Sequence, residues 1–284
     1  MALSNFWQRA LFGSVYVGIL TGAAIAGGWW FFLLCLLLVI LCLKELYGLA
    51  IPQHATWFRL VLLALALPQF AVTALSEWVH VEQISFPGGA LLQQLLLFWE
   101  YGPGLFSYMV VLVLLLLFVQ TGDVLRDAGA FAFSLLYIVY PLGILAKWNE
   151  TLILYVFILT WSSDTFAYLG GKAFGKHKLF ERVSPGKTWE GFFSGLAGTV
   201  LIAWVYSHFR VLDIRFVYLV APAVHVAGTL GDLTESLMKR NLGVKDSGNV
   251  IPGHGGILDR LDAMLFIIPV VAFLLQTFKI PCLP

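Results

Sequence analysis

Nine apolar runs, separated by short polar connections, account for most of this chain. Crossing the hydrocarbon core of a bilayer takes about 20 predominantly apolar residues, and a helix that is apolar on every side is buried in lipid or in a protein core. The pair Gly27 and Gly28 separates the first run from the second. The predicted spans are 11–26, 29–46, 57–76, 105–120, 129–147, 151–170, 189–207, 216–239 and 263–278. We therefore predict an all-α, polytopic integral membrane protein with about nine transmembrane helices.

The composition supports the same class. Hydrophobic residues make up 60% of the sequence and charged residues 12%, whereas charged residues are about a quarter of a soluble domain. The formal net charge of +1 gives no reason to expect a nucleic-acid partner. Cys35, Cys42 and Cys282 form no CxxC pattern, and we expect thiols rather than metal ligands or a disulfide.

Lysine and arginine are distributed unevenly between the two ends of these spans, and such residues concentrate on the cytoplasmic side of membrane proteins. With the N-terminus inside, the inner side holds thirteen of them: Arg9, Lys44, Arg59, Arg126, Lys172, Lys176, Lys178, Arg182, Lys187, Lys239, Arg240, Lys245 and Arg260. The outer side holds four: Lys147, Arg210, Arg215 and Lys279. We predict an N-in, C-out protein of the cytoplasmic membrane whose polar segments face the cytoplasm.

No compositional linker divides the chain, so we predict one continuous membrane domain. Within it, residues 1–128 are a transmembrane scaffold half. Residues 129–284 are the catalytic half, because the charged and glycine-rich segments that could carry out a reaction lie there.

The segment 228–262 combines acidic and basic groups beside apolar helices. On a helix, Asp232, Glu235, Ser236 and Lys239 share one face, and a glycine-rich loop then leads to a second acidic pair at Asp259 and Asp262. Carboxylates brought together suit a hard divalent cation, which takes oxygen ligands. Lysine and arginine among them can neutralise phosphate oxygens.

An aspartate at the centre of a span costs about 2.5–3.5 kcal/mol on insertion scales, so Asp232 should face a polar cavity. The alternative is an ion pair with Lys239, or with a basic residue of another span, that serves assembly. Asp164 likewise has two interpretations, a polar contact in the site or a structural bond to the next loop. His254 either binds phosphate or orders its own loop.

The connection 172–187 is strongly basic. One interpretation is a loop that meets anionic lipid headgroups. The other is that Ser184, Lys187 and Thr188 bind phosphate at the N-terminus of the seventh span, where the helix dipole favours anions.

Three blocks carry a resemblance to a known family. Residues 236–262 read S-L-M-K-R-x4-K-D-S-G-x3-P-G-H-G-G-I-L-D-R-L-D. Upstream lie Asp164-x-x-Ala167-Tyr168 and the run S-P-G-K-T-W-E-G at 184–191. In these blocks the chain resembles the phosphatidate cytidylyltransferases (CDP-diacylglycerol synthases); its N-terminal half is similar to them only in hydropathy.

The resemblance implies an enzyme that transfers CMP from CTP to phosphatidate, giving CDP-diacylglycerol and pyrophosphate for phospholipid synthesis. It implies Mg²⁺, allows a monovalent ion such as K⁺, and makes a homodimer possible. The expected catalytic residues are Asp232, Asp259, Lys239 and Lys187, and the expected metal ligands are Asp232, Asp259, Glu235 and Asp262. The expected substrate-binding residues are Ser184, Lys187, Thr188, Asp164, Tyr168, Ser236, Arg240, Lys245, Asp246, His254, Gly255, Gly256 and Arg260.

Two other functions fit some of the same features. A CTP-dependent polyprenol or lipid kinase would need a similar anionic-ligand site. An ion-coupled transporter would also carry acids within spans, but its discontinuous helices are expected in matched halves, whereas the polar segments here fall in one half.

Overall fold

The computed structural model describes residues 5–81, 123–210, 213–248, 250 and 255–281. The predicted span 105–120 lies outside these residues, as do His254 and Cys282.

Helices form almost all of the described structure. They are α1 (Asn5–Ala26), α2 (Gly28–Ala50), α3 (Thr56–Val81), α4 (Val124–Ser134), α5 (Tyr140–Leu145), α6 (Glu150–Phe174), α7 (Trp189–Phe209), α8 (Ala221–Asn241) and α9 (Leu258–Thr277). Two five-residue π-helical segments accompany them: Leu135–Val139 joins α4 to α5, and Phe216–Val220 leads into α8. The helical content confirms the predicted all-α class.

Six helices in the described parts of the chain are long and apolar enough to cross a membrane: Gly28–Ala50, Thr56–Leu75, Val124–Leu145, Glu150–Phe174, Trp189–Phe209 and Phe216–Asn241. Each coincides with a predicted span. The first and last predicted spans coincide with α1 and α9, which are not among the six. The total of nine spans and their orientation stay predictions.

The predicted break between the first two spans is confirmed. Gly27 and Gly28 have φ angles of +61° and +50°, a region that glycine enters without a Cβ clash. The backbone can therefore leave α1 and begin α2 within two residues.

The basic connection after α6 is not an open loop, contrary to the sequence-based expectation. It folds into an antiparallel hairpin of β1 (Lys178–Phe180) and β2 (Ser184–Thr188), with Lys178 opposite Thr188. Glu190 secures its base, because its carboxylate accepts hydrogen bonds from the backbone amides of Lys176 and His177 and contacts His177 Nδ1 at 2.6 Å.

The chain forms two compact units, Phe31–Lys147 and Met1–Trp30 with Trp148–Pro284. The predicted division at residue 128 into a scaffold and a catalytic half stays a prediction; α1 packs against α6 within the second of these units. In the unit Phe31–Lys147, Tyr47 Oη contacts Ser134 Oγ at 2.7 Å and His54 Nε2 contacts Asp127 Oδ2 at 2.8 Å. Cys35 and Cys42 are buried there.

The unit of Met1–Trp30 with Trp148–Pro284 contains the charged and glycine-rich segments. Glycines determine how closely its helices pack. Gly170 of α6 packs directly on Ser194 of α7, and Gly231 of α8 packs on the backbone of Asp262 in α9; an added Cβ would collide at either position. Small residues let helix backbones approach closely. The contact at Gly231 therefore brings the acidic face of α8 to the start of α9.

Candidate active site

The first charged contact joins the hairpin to α8. Lys187 Nζ donates to Asp232 Oδ2 at 2.6 Å, and the two side chains are 29% and 30% exposed. An ionisable group within an apolar helix needs a partner or a polar cavity. The partner of Asp232 is Lys187 from β2, and not Lys239, with which it shares a face of α8.

The second charged contact is a bridge between α8 and α9. Lys239 Nζ donates to Glu235 Oε2 at 2.8 Å and to Asp259 Oδ1 at 2.6 Å. The carboxylates are largely removed from solvent, with side-chain exposures of 1% for Glu235 and 6% for Asp259. One ammonium group is thus shared between two buried acids from different helices.

The other oxygen of Asp259 is held by the backbone of the preceding loop. Oδ2 accepts from the amide of Ser247 at 2.9 Å and from that of Gly256 at 2.8 Å. Burial raises the pKa of this carboxyl, which precedes the predicted span 263–278, but the hydrogen bonds from Lys239 and from the two backbone amides outweigh burial and hold the pKa at about 2. Asp259 is therefore a fixed, ionised carboxylate at neutral pH.

Gly255 makes this arrangement possible. Its φ angle is +83°, and a Cβ at this position would lie 2.6 Å from Asp259 Oδ2. Glycine at position 255 thus has a local physical reason, since a side chain there would collide with the carboxylate that the amides of Ser247 and Gly256 hold.

Asp262 completes an acidic group at the junction of α8 and α9. Its carboxyl contacts those of Asp232 and Glu235, and its Oδ1 also accepts from the amide of Ala263 at 2.8 Å. Glu235 Oε1 is buried, with no hydrogen-bond partner among the described atoms. A buried carboxylate oxygen without a partner is costly, and a proton or a cation would satisfy it.

A first cavity of about 450 Å³ lies beside these groups. The hairpin and helices α6, α7 and α8 form its walls. Of the predicted residues, Asp164, Tyr168, Lys187, Thr188 and Asp232 line it.

A second cavity of about 470 Å³ borders the other part of the site. It is lined by α1, α6, α8 and α9. The predicted residues in its wall are Asp164, Asp232, Asp259, Arg260 and Asp262. Asp164 and Asp232 thus line both cavities.

Thr188 has a structural task at the first cavity. It is the N-cap of α7, and its Oγ1 accepts from the amide of Gly191 at 3.2 Å. The nearby ammonium of Lys172 lies 5.9 Å from the ring centroid of Tyr168, within the range of a cation–π contact. The first cavity therefore combines basic, hydroxyl and aromatic groups.

Several predicted substrate-binding residues do not line either cavity. Ser184 begins β2, Ser236 is part-buried on α8, and Arg240 and Lys245 are exposed near the end of that helix. Asp246 lies beside Gly255. Nothing in the described geometry brings these side chains to the two contacts of Lys187 and Lys239.

Sequence reasoning missed Ser163 and His225. Both line the first cavity, and Ser163 Oγ contacts His225 Nδ1 at 2.8 Å. The His225 ring also packs on Phe192 at a centroid distance of 4.6 Å, with Gly195 leaving the room for it. In the sequence these are two polar residues in separate apolar spans. Their contact could not be predicted without knowing that α6 packs against α8.

The four predicted metal ligands, Asp232, Asp259, Glu235 and Asp262, match the expected divalent ion in chemistry but not in arrangement. Among the described residues, no group of three or more His, Cys, Asp or Glu side chains is arranged to hold a metal ion. Lys187 and Lys239 contact three of the four predicted ligands. The chemistry of the set nevertheless fits, because it offers only carboxylate oxygens and includes the unpartnered Glu235 Oε1.

Together, these observations describe a multi-pass membrane protein with charged contacts and two cavities among its later helices. A model of the cytidylyltransferase family matches residues 7–278. This match spans nearly the whole chain, and the chain belongs to that family. The resemblance seen in its sequence blocks is confirmed.

Relatives named phosphatidate cytidylyltransferase match part of the chain. The protein of Bacillus subtilis (strain 168) is 44% identical over 137 residues, which is 48% of this chain and 51% of that protein. That of Haemophilus influenzae is 45% identical over 128 residues, 43% of this chain and 44% of the relative. One from Staphylococcus epidermidis is 47% identical over 125 residues, 43% of this chain and 48% of the relative. The chain spans about half the length of the curated relatives it matches.

Proposed function

We propose that this protein transfers the CMP moiety of CTP to phosphatidate, producing CDP-diacylglycerol and pyrophosphate. Membership in the cytidylyltransferase family supports a CTP-using transfer, and the names of its relatives support phosphatidate as acceptor. The observation that carries the proposal furthest is the pair of contacts Lys187–Asp232 and Lys239–Asp259 beside two cavities. It provides the opposite charges that phosphate chemistry needs.

The proposed orientation is N-in and C-out, with nine spans in the cytoplasmic membrane. The supporting observation is the distribution of lysine and arginine. In this orientation the hairpin and the ends of α8 and α9 that meet at Lys239 face the cytoplasm, where nucleotides are available. A homodimer is part of the proposal only through the family resemblance.

The protein need not supply a nucleophile, because a phosphate oxygen of phosphatidate can attack the α-phosphorus of CTP. One phosphorus–oxygen bond then forms while the bond to the pyrophosphate oxygen breaks. Charge builds up on the departing pyrophosphate, and positioned lysines stabilise such charge. Lys187 is our candidate for this role, since it lies on the hairpin and lines the first cavity.

Lys239 has a different part in this proposal. Its ammonium is engaged by Glu235 and Asp259 and does not line either cavity. It holds two carboxylates in place and so positions the ends of α8 and α9. We therefore propose it as a positioning residue, which modifies the expected catalytic role.

Asp232, Glu235, Asp259 and Asp262 would hold Mg²⁺. The bound ion would supply positive charge against phosphate oxygens. The carboxylates themselves keep the site polar within an apolar bundle and fix the positions of both lysines.

The test is to incubate the purified protein with CTP labelled in the cytosine ring, phosphatidate and Mg²⁺, and to identify the lipid product. The expected product carries the labelled CMP moiety. Phosphate transfer from γ-labelled CTP to a lipid alcohol would instead indicate a lipid kinase. Failure of both reactions under conditions where the protein binds CTP would contradict the proposed function.

The matched variants are Asp232→Asn and Asp259→Asn. Each removes one charge without changing side-chain shape, and we expect product formation to fall by at least about 100-fold, as for loss of an electrostatic catalytic group. Both proteins should still insert, because each change removes a partly or fully buried charge from the helix bundle. Near wild-type turnover at limiting Mg²⁺ in either variant would refute its assignment as a ligand.

A further inference from the structure

The two cavities meet at one pair of carboxylates. Asp164 and Asp232 line both the cavity of about 450 Å³ and that of about 470 Å³. Each volume is within the roughly 300–1,000 Å³ typical of small-molecule sites. A reaction between two bound substrates needs such a place, where ligands from separate cavities can touch.

The walls of the two cavities differ in chemistry. The first has Lys172, Lys187 and Thr188 in its wall. The second has charged groups at one end, where α9 begins, and apolar side chains such as Phe157, Trp161 and Met264 elsewhere. The first cavity sets two lysines against two carboxylates, whereas the second sets one arginine against four, so a highly charged anion fits the first better. The apolar side chains of the second cavity suit the acyl chains of an amphipathic molecule.

The cavities also lie at different positions along α6. Residues 163–172 of this helix line the first cavity, and residues 157–164 line the second. From Phe157 to Lys172 the helix rises about 22 Å at 1.5 Å per residue. The first cavity lies towards the hairpin, whereas the second lies further back along an apolar helix.

The first helix closes the second cavity. Phe12, Tyr16 and Leu20, spaced four residues apart, line it together with Gly13 and Val17, so one face of α1 forms the wall. Tyr16 Oη also donates to the carbonyl of Arg260 at 3.3 Å. This helix belongs to the half expected to be a scaffold, yet it borders the site.

We propose that α1 forms the lipid-binding wall of the site, so that the glycerol end of phosphatidate and the first part of its acyl chains lie in the second cavity, while CTP lies in the first. The assignment rests on the proposed function for the identity of the two ligands. A triphosphate carries more negative charge than a phosphate monoester, so it belongs beside the lysines. Arg260 lines the polar end of the second cavity, where its charge would face the lipid phosphate.

The experiment reads the two binding events separately. Val17→Trp fills the second cavity, and Thr229→Trp fills the first, which Thr229 lines. Binding of labelled CTP is measured without lipid, and lipid binding is measured with phosphatidate that carries a photoactivatable diazirine near the glycerol. Cross-linked peptides are located by mass spectrometry.

In the wild-type protein, cross-links should fall on α1. Val17→Trp should reduce them at least about fivefold, as expected for overfilling a packed site, with the Kd for CTP unchanged. Thr229→Trp should weaken CTP binding and leave the lipid cross-links on α1 unchanged. The matched control is Ile19→Trp, a change of similar size on the same helix at a side chain that is 54% exposed and outside the cavity wall; it should alter neither.

The assignment is overturned if Val17→Trp weakens CTP binding alone, if Ile19→Trp reduces cross-linking as much, or if wild-type cross-links lie on the hairpin instead of α1. The wild-type map decides even if a variant fails to fold. If both ligands bind as assigned but no CDP-diacylglycerol forms, the proposed function fails and the assignment stands. If the product forms while cross-links lie elsewhere, the assignment fails and the function stands.

Discussion

Removing the ammonium group of Lys239 is the most direct test of how the site is held together. Lys239→Met keeps an unbranched side chain of similar length but leaves Glu235 and Asp259 without their shared counter-charge. Removing one partner of a buried ion pair typically costs about 3–5 kcal/mol, because the other charge stays buried.

The structure places this variant at the lower end of that range. Asp259 retains two backbone amide donors, from Ser247 and Gly256, so its charge stays partly stabilised when the ammonium is removed. Glu235 loses its contact with the Lys239 ammonium while its side chain is 1% exposed. We therefore expect a loss of about 3 kcal/mol in the free energy of unfolding, which comes mainly from Glu235.

The assay is thermal unfolding of the detergent-solubilised protein at neutral pH. For a chain of this size, a loss of about 3 kcal/mol corresponds to a fall in Tm on the order of 5 °C. The control is Arg240→Met, which removes a cation from the adjacent exposed position; a surface change of this kind usually stays within about 0.5 kcal/mol.

A second variant identifies the origin of the loss. Adding Glu235→Gln to Lys239→Met removes the stranded buried charge, so the double variant should regain most of the lost Tm. The reasoning is refuted if Lys239→Met unfolds at the wild-type temperature, or if the double variant is less stable than Lys239→Met alone.

Three further predictions concern the loop, the topology and the chemistry. Gly255→Ala should lower Tm and turnover because the new Cβ would collide with Asp259. Gly243→Ala, also at positive φ but in open space, should lower Tm only slightly. If the two variants lost the same Tm, the collision with Asp259 would not be the cause. An impermeant thiol reagent should label Lys178→Cys from the cytoplasmic side and Arg210→Cys from the other, and the reverse pattern would overturn the N-in orientation. Transfer should invert configuration at the α-phosphorus of CTP, as measured with one diastereomer of an α-thio analogue, while retention would indicate a covalent nucleotidyl-enzyme.

The sequence was sufficient for the membrane class and for the approximate position of its helices. Hydropathy is a property of consecutive residues and reflects their transfer into lipid, so it can be calculated from the sequence without knowledge of how the helices pack. The same local reasoning predicted the break at Gly27 and Gly28 and placed Asp232, Glu235 and Lys239 on one face of α8. The motif blocks pointed to the family that the match over residues 7–278 shows.

Contacts between distant residues were decided by the tertiary structure. The sequence offered Lys239 or another basic residue as the partner of Asp232, but the hairpin delivers Lys187 to it across 45 positions. The hairpin itself was not predicted, because the residues that hold its base, Glu190 and His177, come together only when the chain turns back.

Packing also decided which elements border the site. Gly231 lets α8 and α9 approach until Asp262 reaches Asp232 and Glu235, and no periodicity along either helix encodes that approach. The role of α1 is similar: its apolar sequence predicts a helix in lipid, while its position against α6 makes one face of it a cavity wall. Local sequence determines whether a helix lies in lipid or in water. The arrangement of all helices determines which of them are neighbours, because burial energy is non-directional and shape complementarity selects the partners.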